Sequence, residues 1–397
     1  MNRPRLEVAD VLRRYGDAFL AENGAHCSSD QRRVMGAILA CRTAALGGHV
    51  DVCDTCGDRS QSYNSCRNRH CPKCQSLARA KWLEARTSEL LDVPYFHVVF
   101  TLPHQLGPLA LQNKALVYGL LFRTTFETLK TIARDPKHLG AEIGGLGILH
   151  TWGQNLQHHP HVHCVVPGGG FAPGRDRWIA SPPHFLLSVH VLSRLFRRLF
   201  LEGLDELHAE GRLEFHGELA ALRDPARWRE LFAVVRALKW VVYAKPPFGG
   251  PRQVLDYLGR YTHRVAISND RIIDIDDGQV RFRWKDYANG SAPRVMTLAA
   301  SEFLRRFLLH TLPTRFVRIR HFGFLANRDR GSNIERVRAL IGQAPPADAA
   351  PPVGPADSLT TTEVFDPLRC RKCPTGRLIR IETLRRSPLT IRPQDSS

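Results

Sequence analysis

The sequence predicts a mixed α/β (α+β) fold with a small metal-binding unit near its N-terminus. Three observations carry this. Two C-x-x-C pairs lie close together between residues 49 and 74, in HVDVCDTCGDRSQSYNSCRNRHCPKC. The run YFHVVFTL at 95–102 is rich in β-branched and aromatic residues and reads as a buried strand. After it, NKALVYGLLFRTTFETLKTIAR, from about 112 to 134, repeats its apolar residues at helical spacing.

Composition narrows the function before any motif is read. With 43% hydrophobic residues in 397, the chain has enough apolar side chains for a sizeable core. No apolar run reaches the roughly 20 residues that span a bilayer, so no membrane partner is expected. The start, MNRPRLEVADVLRRYG, lacks the apolar centre of a signal peptide, which makes the cytoplasm, at the nucleoid, the expected compartment. Lys and Arg total 56 against 38 Asp and Glu, a net charge of +18. Such an excess points to a polyanionic partner, with nucleic acid ahead of a membrane surface. A GC-rich genome also inflates Arg, so charge alone does not decide.

Ten cysteines in a cytosolic chain are read as metal ligands rather than disulfides. Cys53 with Cys56 and Cys71 with Cys74 each place two thiolates on a tight turn. Facing each other, the two pairs would close a tetrahedral structural Zn²⁺ site of the ribbon type. Cys66, His70 and His49 lie in the same stretch and could replace a ligand or help hold a second ion. Cys66 reads equally well as a small buried hydrophobe. Arg67 and Arg69, with Lys73, Arg79 and Lys81, could grip DNA phosphates or merely solvate a face.

Asp135-Pro136 ends the long helix, and the Gly-rich EIGGLG leads into a strand, ILHTWGQ. In HHPHVHCVVPGGG, residues 158–170, alternation sets His161 and His163 on one face of a strand and Val162, Cys164 and Val166 on the other. Two imidazoles side by side can bind one divalent ion. With a turn at Gln157–Pro160, the preceding strand would fold back so that Gln154 supplies a third, oxygen ligand. His159 is a rival of the same parity, and paired strand histidines also occur without metal.

WVVYA, from residue 240, reads as a strand, and PPFGGP as a turn with Pro251 at the first position of a helix. That helix carries Tyr257 and Tyr261 four residues apart, on one face, with Arg260, His263 and Arg264 close by. A phenol titrates near pH 10, so it needs a metal or cationic neighbours to act as a nucleophile. Tyrosine pairs at this spacing are also common packing residues. RVAISNDRIIDIDDGQVRFRWKDYANG alternates like a hairpin with its turn at DDG, and is expected to extend the sheet. RVMTLAASEFLRRFLLHTLP reads as a strand feeding a helix. RFVRIRHFGFLANRDR, 315–330, suits either single-strand stacking or a core strand with a charged edge. QAPPADAAPPVGPADS, 343–358, is a linker. Beyond it Cys370 and Cys373 look like half a ribbon, which either borrows ligands or is degenerate. The expected domains are a helix and zinc-binding unit at 1–90, a catalytic domain at 91–340, the linker at 341–368 and a basic tail at 369–397.

HPHVHCVVPGGG, YLGRYTHRVAIS, and CRTAALGGHVDVCDTCG with SCRNRHCPKC together resemble the HUH endonuclease superfamily. Within it the closest likeness is to the two-tyrosine rolling-circle transposases of bacterial insertion sequences, of the insertion-sequence ninety-one type. The resemblance runs from about residue 27 to 340. It implies a central antiparallel sheet flanked by helices, with His161 and His163 binding Mg²⁺ or Mn²⁺ and Tyr257 and Tyr261 as nucleophiles. It also implies nicking and rejoining of single-stranded DNA at element ends through a 5′-phosphotyrosine, and leaves room for self-association. A replication initiator or relaxase would share this chemistry. A non-catalytic zinc-containing DNA binder would keep the same residues for structure alone.

Overall fold

A computed structural model describes residues 5–245, 253, 259, 266–286, 289–342, 366, 368–373 and 375–387. The chain opens with helices α1 (Val8–Asn23) and α2 (Ser29–Ala40). Ser28 caps α2 reciprocally with Gln31, the side chain of each accepting from the backbone N–H of the other, which pairs two otherwise orphaned donors. A hairpin follows, β1 (Gly48–Cys53) and β2 (Arg59–Tyr63), then helix α3 (Ser76–Thr87) and strand β3 (Tyr95–Thr101). Next come α4 (Gly107–Gln112), the long α5 (Lys114–Arg134), β4 (Gly144–Trp152) and β5 (His158–Pro167). Two short strands, β6 (Gly169–Phe171) and β7 (Trp178–Ala180), lead to α6 (Val189–Ala209), α7 (Pro225–Ala237) and β8 (Val242–Lys245). The remaining described elements are β9 (Ile272–Asp276), β10 (Gln279–Asp286), β11 (Ala292–Ala299), α8 (Ala300–Leu309), β12 (Ile319–Gly323), α9 (Arg330–Leu340) and β13 (Leu378–Leu384).

Among the described residues, the largest sheet has five strands in the order β12-β4-β5-β3-β8, every neighbouring pair antiparallel. The expected mixed α/β architecture with a central antiparallel sheet flanked by helices is therefore present. β5 lies in the middle. Its alternation divides the sheet into two unlike faces. Phe96, Val98 and Phe100 of β3, Leu149 of β4 and Val162, Cys164 and Val166 of β5 point into the main core, where α5 and α6 cover them. Tyr95, Leu146, Ile148 and Val165 point the other way and pack with Trp82 of α3. At about 25 cal/mol per Å² of buried apolar surface, the first face is the principal stabiliser of the sheet.

The hairpin of β9 and β10 turns at Asp277-Gly278, both at positive φ, as the DDG signal predicts. It does not extend the central sheet. β9, β10 and β11 form a separate three-stranded sheet among the described residues. That sheet packs with α1, α2 and α8 around Leu12, Phe19, Phe282, Phe303 and Phe307. Alternation fixes which face of a strand is apolar but not which neighbour it pairs with. β12 is an edge strand of the central sheet, with Phe322 buried. Its Arg320 lies over the rings of Phe122 and Phe316 at 4.5 and 5.1 Å. Part of the C-terminal segment, expected to be a basic tail, is a strand: β13 pairs antiparallel with β1. Among the described residues, no helix is long and apolar enough to cross a membrane.

Two histidines join the sheet to its surroundings. His158 Nε2 bonds Tyr118 Oη at 2.8 Å, and His310 bridges Thr151 Oγ1 and the Leu156 carbonyl at 3.2 and 3.1 Å. Burial pushes both pKa values down to about 3. Unfolded histidine titrates near ~6.5. Above that pH neither state takes up the proton; below it the unfolded chain does first, so stability falls as pH falls towards the folded values. At pH 5 the loss is on the order of 2 kcal/mol per histidine. The urea midpoint should drop between pH 7 and pH 5. An unchanged midpoint would contradict burial of the neutral rings.

Candidate active site and metal centres

The histidine site is built by the pairing of the two middle strands. Register sets His150 of β4 directly opposite His161 of β5, and Ile148 opposite His163. The donor atoms of His150, His161 and His163 all lie within 4.8 Å of one another. Each ring is oriented by a neighbour. His161 Nδ1 donates to the His159 carbonyl at 2.6 Å, which leaves Nε2 with its lone pair. His163 Nδ1 shares a 2.7 Å hydrogen bond with Nε2 of the buried His97 on β3. Trp152 stacks on His150, the ring centroids 4.7 Å apart. Burial holds all three imidazoles neutral, His161 down to about 3 and the other two well below the usual histidine range. Neutral imidazoles converging from adjacent strands, with the Nδ1 atoms of His161 and His163 engaged, fit a divalent cation.

The hairpin between β4 and β5 turns earlier than the sequence predicts. The β4–β5 turn falls at Gly153–Gln157, closed by the Gly153 N–H to the Gln157 carbonyl, and not at Gln157–Pro160. His158 to Pro160 already belong to β5. A later turn would have set Gln154 opposite His163; the actual turn sets His150 opposite His161. Gln154 lies in the turn, where its carbonyl accepts from Arg271. His159 is exposed and contributes its carbonyl to orienting His161. The missed signal is a centred hairpin: a turn at residues 155–156 pairs His150 with His161.

Tyr257, Tyr261, Arg260 and Arg264 lie outside the described residues. Gly259, between the two tyrosines in sequence, is helical and buried. A Cβ at Gly259 would come within 2.5 Å of the Leu83 side chain of α3, so a larger residue there would require Leu83 to move. Trp82, next to Leu83, packs on the same face of the sheet that carries the histidines.

The two C-x-x-C pairs near the N-terminus do not face each other. Cys71 and Cys74 join Cys66 and Cys41, and Cys53 and Cys56 join Cys370 and Cys373. Within each group the sulfurs lie within 4.8 Å of one another. Cys66 is thus a member of a cluster and not a lone buried thiol. Cys41, directly after α2, was the residue sequence reasoning missed; a single cysteine 25 residues before Cys66 has no spacing signal of its own. His70 and His49 stand outside both clusters. His70 Nε2 accepts from the Leu312 N–H at 3.1 Å, and His49 Nε2 pairs with Asp51 at 3.2 Å. In the first cluster Cys66 and Cys74 Sγ are 3.7 Å apart, and the Asn68 N–H donates to Cys66 Sγ. Four thiolates at such separations fit a closed tetrahedral zinc ion.

Among the cations of this knob, Arg67 is exposed, on a left-handed residue with φ 52°. The Arg69 guanidinium instead donates to the Phe316 carbonyl, and Lys73 pairs with Glu7 at 2.8 Å. These last two tie the knob to the rest of the chain.

A family model described as "Putative transposase" matches residues 144–333, a span that holds the histidine trio and both tyrosines. Another, described as "Transposase zinc-binding domain", matches residues 11–102. The chain is similar to "Putative transposase y4qJ" of Sinorhizobium fredii, with 58% identity over 385 residues and 96% of each chain covered. It is also similar to "Transposase for insertion sequence element IS801" of Pseudomonas savastanoi pv. phaseolicola. There the identity is 32% over 351 residues, covering 85% of this chain and 80% of the relative. No solved structure matches the chain.

Proposed function

From the premise that the chain belongs to the IS91-type transposase family with an N-terminal zinc-binding domain, we propose that it nicks and rejoins single-stranded DNA at element ends through a 5′-phosphotyrosine link. The observation that carries this reading is the histidine trio, three neutral imidazoles converging from adjacent central strands. On this reading His161 and His163, with His150 as third ligand, hold the catalytic Mg²⁺ or Mn²⁺. Bound there, the ion would supply Lewis-acid polarisation of the scissile phosphate. Cys41, Cys66, Cys71 and Cys74 hold the structural zinc of the N-terminal unit.

Either Tyr257 or Tyr261 attacks phosphorus with its phenolic oxygen. The O–P bond to tyrosine forms as the bond from phosphorus to the 3′ oxygen breaks; the phenol proton is released and the departing oxygen ends as a 3′-OH. Because one phosphodiester replaces another, a 3′-OH can reverse the step and rejoin strands without ATP. A second tyrosine lets one site hold two strand ends, which suits rolling-circle movement. Arg260 and Arg264 supply positive charge beside the pair, and Arg67 a phosphate contact from the knob. Gly259 against Leu83 supports this reading, because it brings one residue lying between the two tyrosines in sequence to the helix that packs on the histidine face. The working place is the cytoplasm, at the nucleoid, and self-association would bring two element ends together.

A replication initiator or relaxase would share the chemistry, but the match of the zinc-binding domain to transposases favours the mobile-element reading. A non-catalytic binder would need no convergent neutral histidines. The discriminating test compares His150→Ala with Gln154→Ala in cleavage of a single-stranded element end at limiting Mn²⁺. His150→Ala should lower cleavage by about 100-fold or more, while Gln154→Ala stays near the wild-type rate. The reverse order would restore Gln154 as the ligand; no effect from either would remove the metal site.

A further inference from the structure

We propose that Cys53, Cys56, Cys370 and Cys373 form a second structural zinc site, one that clamps the C-terminal segment onto the N-terminal hairpin. The zinc-binding domain recognised by sequence ends at residue 102, so it takes in only half of this cluster. The other half arrives from the far end of the chain, Cys370 being 314 residues from Cys56.

Both halves have the backbone of a metal knuckle. The Cys56 N–H donates to Cys53 Sγ at 3.4 Å. On the opposite side the Lys372 and Cys373 N–H groups donate to Cys370 Sγ at 3.4 and 3.5 Å. Such donors stabilise thiolates, the form that binds metal. Across the cluster Cys53 and Cys373 Sγ are 3.5 Å apart, and Cys56 and Cys370 Sγ 3.7 Å. A disulfide requires about 2.05 Å. Tetrahedral zinc with bonds of about 2.3 Å sets its sulfurs about 3.8 Å apart. The separations match the second case.

The surroundings are shaped for the same group. A Cβ on Gly376 would fall 2.2 Å from Cys53 Sγ and 2.8 Å from Cys373 Sγ, so a side chain there would enter the sulfur cluster. The Cys370 N–H donates to the Gly376 carbonyl at 2.9 Å, closing the second loop. A zinc ion with four thiolates carries two net negative charges. Lys372, paired with Asp58 across the two loops at 2.6 Å, brings a cation to its edge.

Energetics give the clamp a purpose. β13 pairs with β1 from Leu378, opposite Cys53, to Leu384, with one register shift, yet its side chains are largely exposed, Ile379 at 54% and Ile381 at 49%. A strand that buries so little apolar surface gains little from docking and must still overcome the entropy of ordering a chain end. Four thiolate–zinc bonds provide what burial does not.

The test uses the full-length protein loaded with zinc and mapped by thiol alkylation and mass spectrometry. Cys53, Cys56, Cys370 and Cys373 should be protected together and become reactive together when a chelator is added. Cys370→Ser with Cys373→Ser should contain one zinc fewer per chain, expose Cys53 and Cys56, and leave Cys66 and Cys74 protected. Rapid alkylation of Cys370 and Cys373 in the zinc-loaded wild type, an unchanged zinc content in the double variant, or a Cys53–Cys373 disulfide in the unreduced peptide map would each overturn the proposal. The footprint on unmodified protein decides the matter even if the variant fails to fold. It is also independent of catalysis.

Discussion

On the proposed mechanism, Tyr257→Phe combined with Tyr261→Phe is expected to remove cleavage of single-stranded element ends, with a loss on the order of 10⁴-fold or more in rate, while DNA affinity stays nearly unchanged. The substitution deletes two hydroxyl oxygens and leaves the rings, so packing and stacking surfaces survive. On that mechanism it removes the oxygen that would bond to phosphorus, so no covalent adduct should form. Binding rests on phosphate contacts and base stacking, to which a phenol oxygen adds little. Parallel measurement of cleavage and affinity separates the cases. Cleavage that persists at the wild-type rate would put the nucleophile elsewhere, and affinity lost along with cleavage would make the tyrosines structural.

Cys71→Ser with Cys74→Ser has the second large effect, on stability. Structural zinc in small domains carries roughly 10–16 kcal/mol of apparent binding free energy, which is folding free energy for the unit that holds it. Losing two of four thiolates forfeits most of it. The consequence spreads beyond the knob, because Cys71 is buried in the core that joins α1 and α2 to Phe303 and Phe307 of α8. The neighbouring His70 also accepts from Leu312 in the chain leading to β12. Zinc content should fall, and a low-temperature unfolding transition should appear in calorimetry. A melting curve like that of the wild type would show that the cluster holds no structural ion.

The parts of this molecule that were legible in sequence depend on local periodicity. Alternation alone separated His161 and His163 from Val162, Cys164 and Val166, and the structure sets the latter three in the core. The helix of α5 and the passage from β11 into α8 follow from spacing in the same way. α6, on which no expectation was placed, buries Leu192, Phe196, Phe200 and Leu204 at the same helical spacing. Pairing between distant segments was not legible. Proximity suggested that Cys53 and Cys56 face Cys71 and Cys74, whereas the fold gives each pair other partners. Which residue of β4 stands beside His161 depends on where one hairpin reverses, and a turn three residues earlier than the sequence predicts puts His150 opposite His161. The placement of β9 to β11 in their own sheet rests on packing against α1 and α8, which no local pattern encodes.

A 5′-phosphotyrosine is tested by identifying the link itself. Purified protein is incubated with single-stranded element-end DNA and Mn²⁺, the covalent adduct is isolated under denaturing conditions, and its peptides are sequenced by mass spectrometry. The expected product is a nucleotide joined through its 5′ phosphate to Tyr257 or Tyr261, with a free 3′-OH on the released strand. A link to any other residue, a 3′-phosphate attachment, or tight binding without an adduct would contradict it.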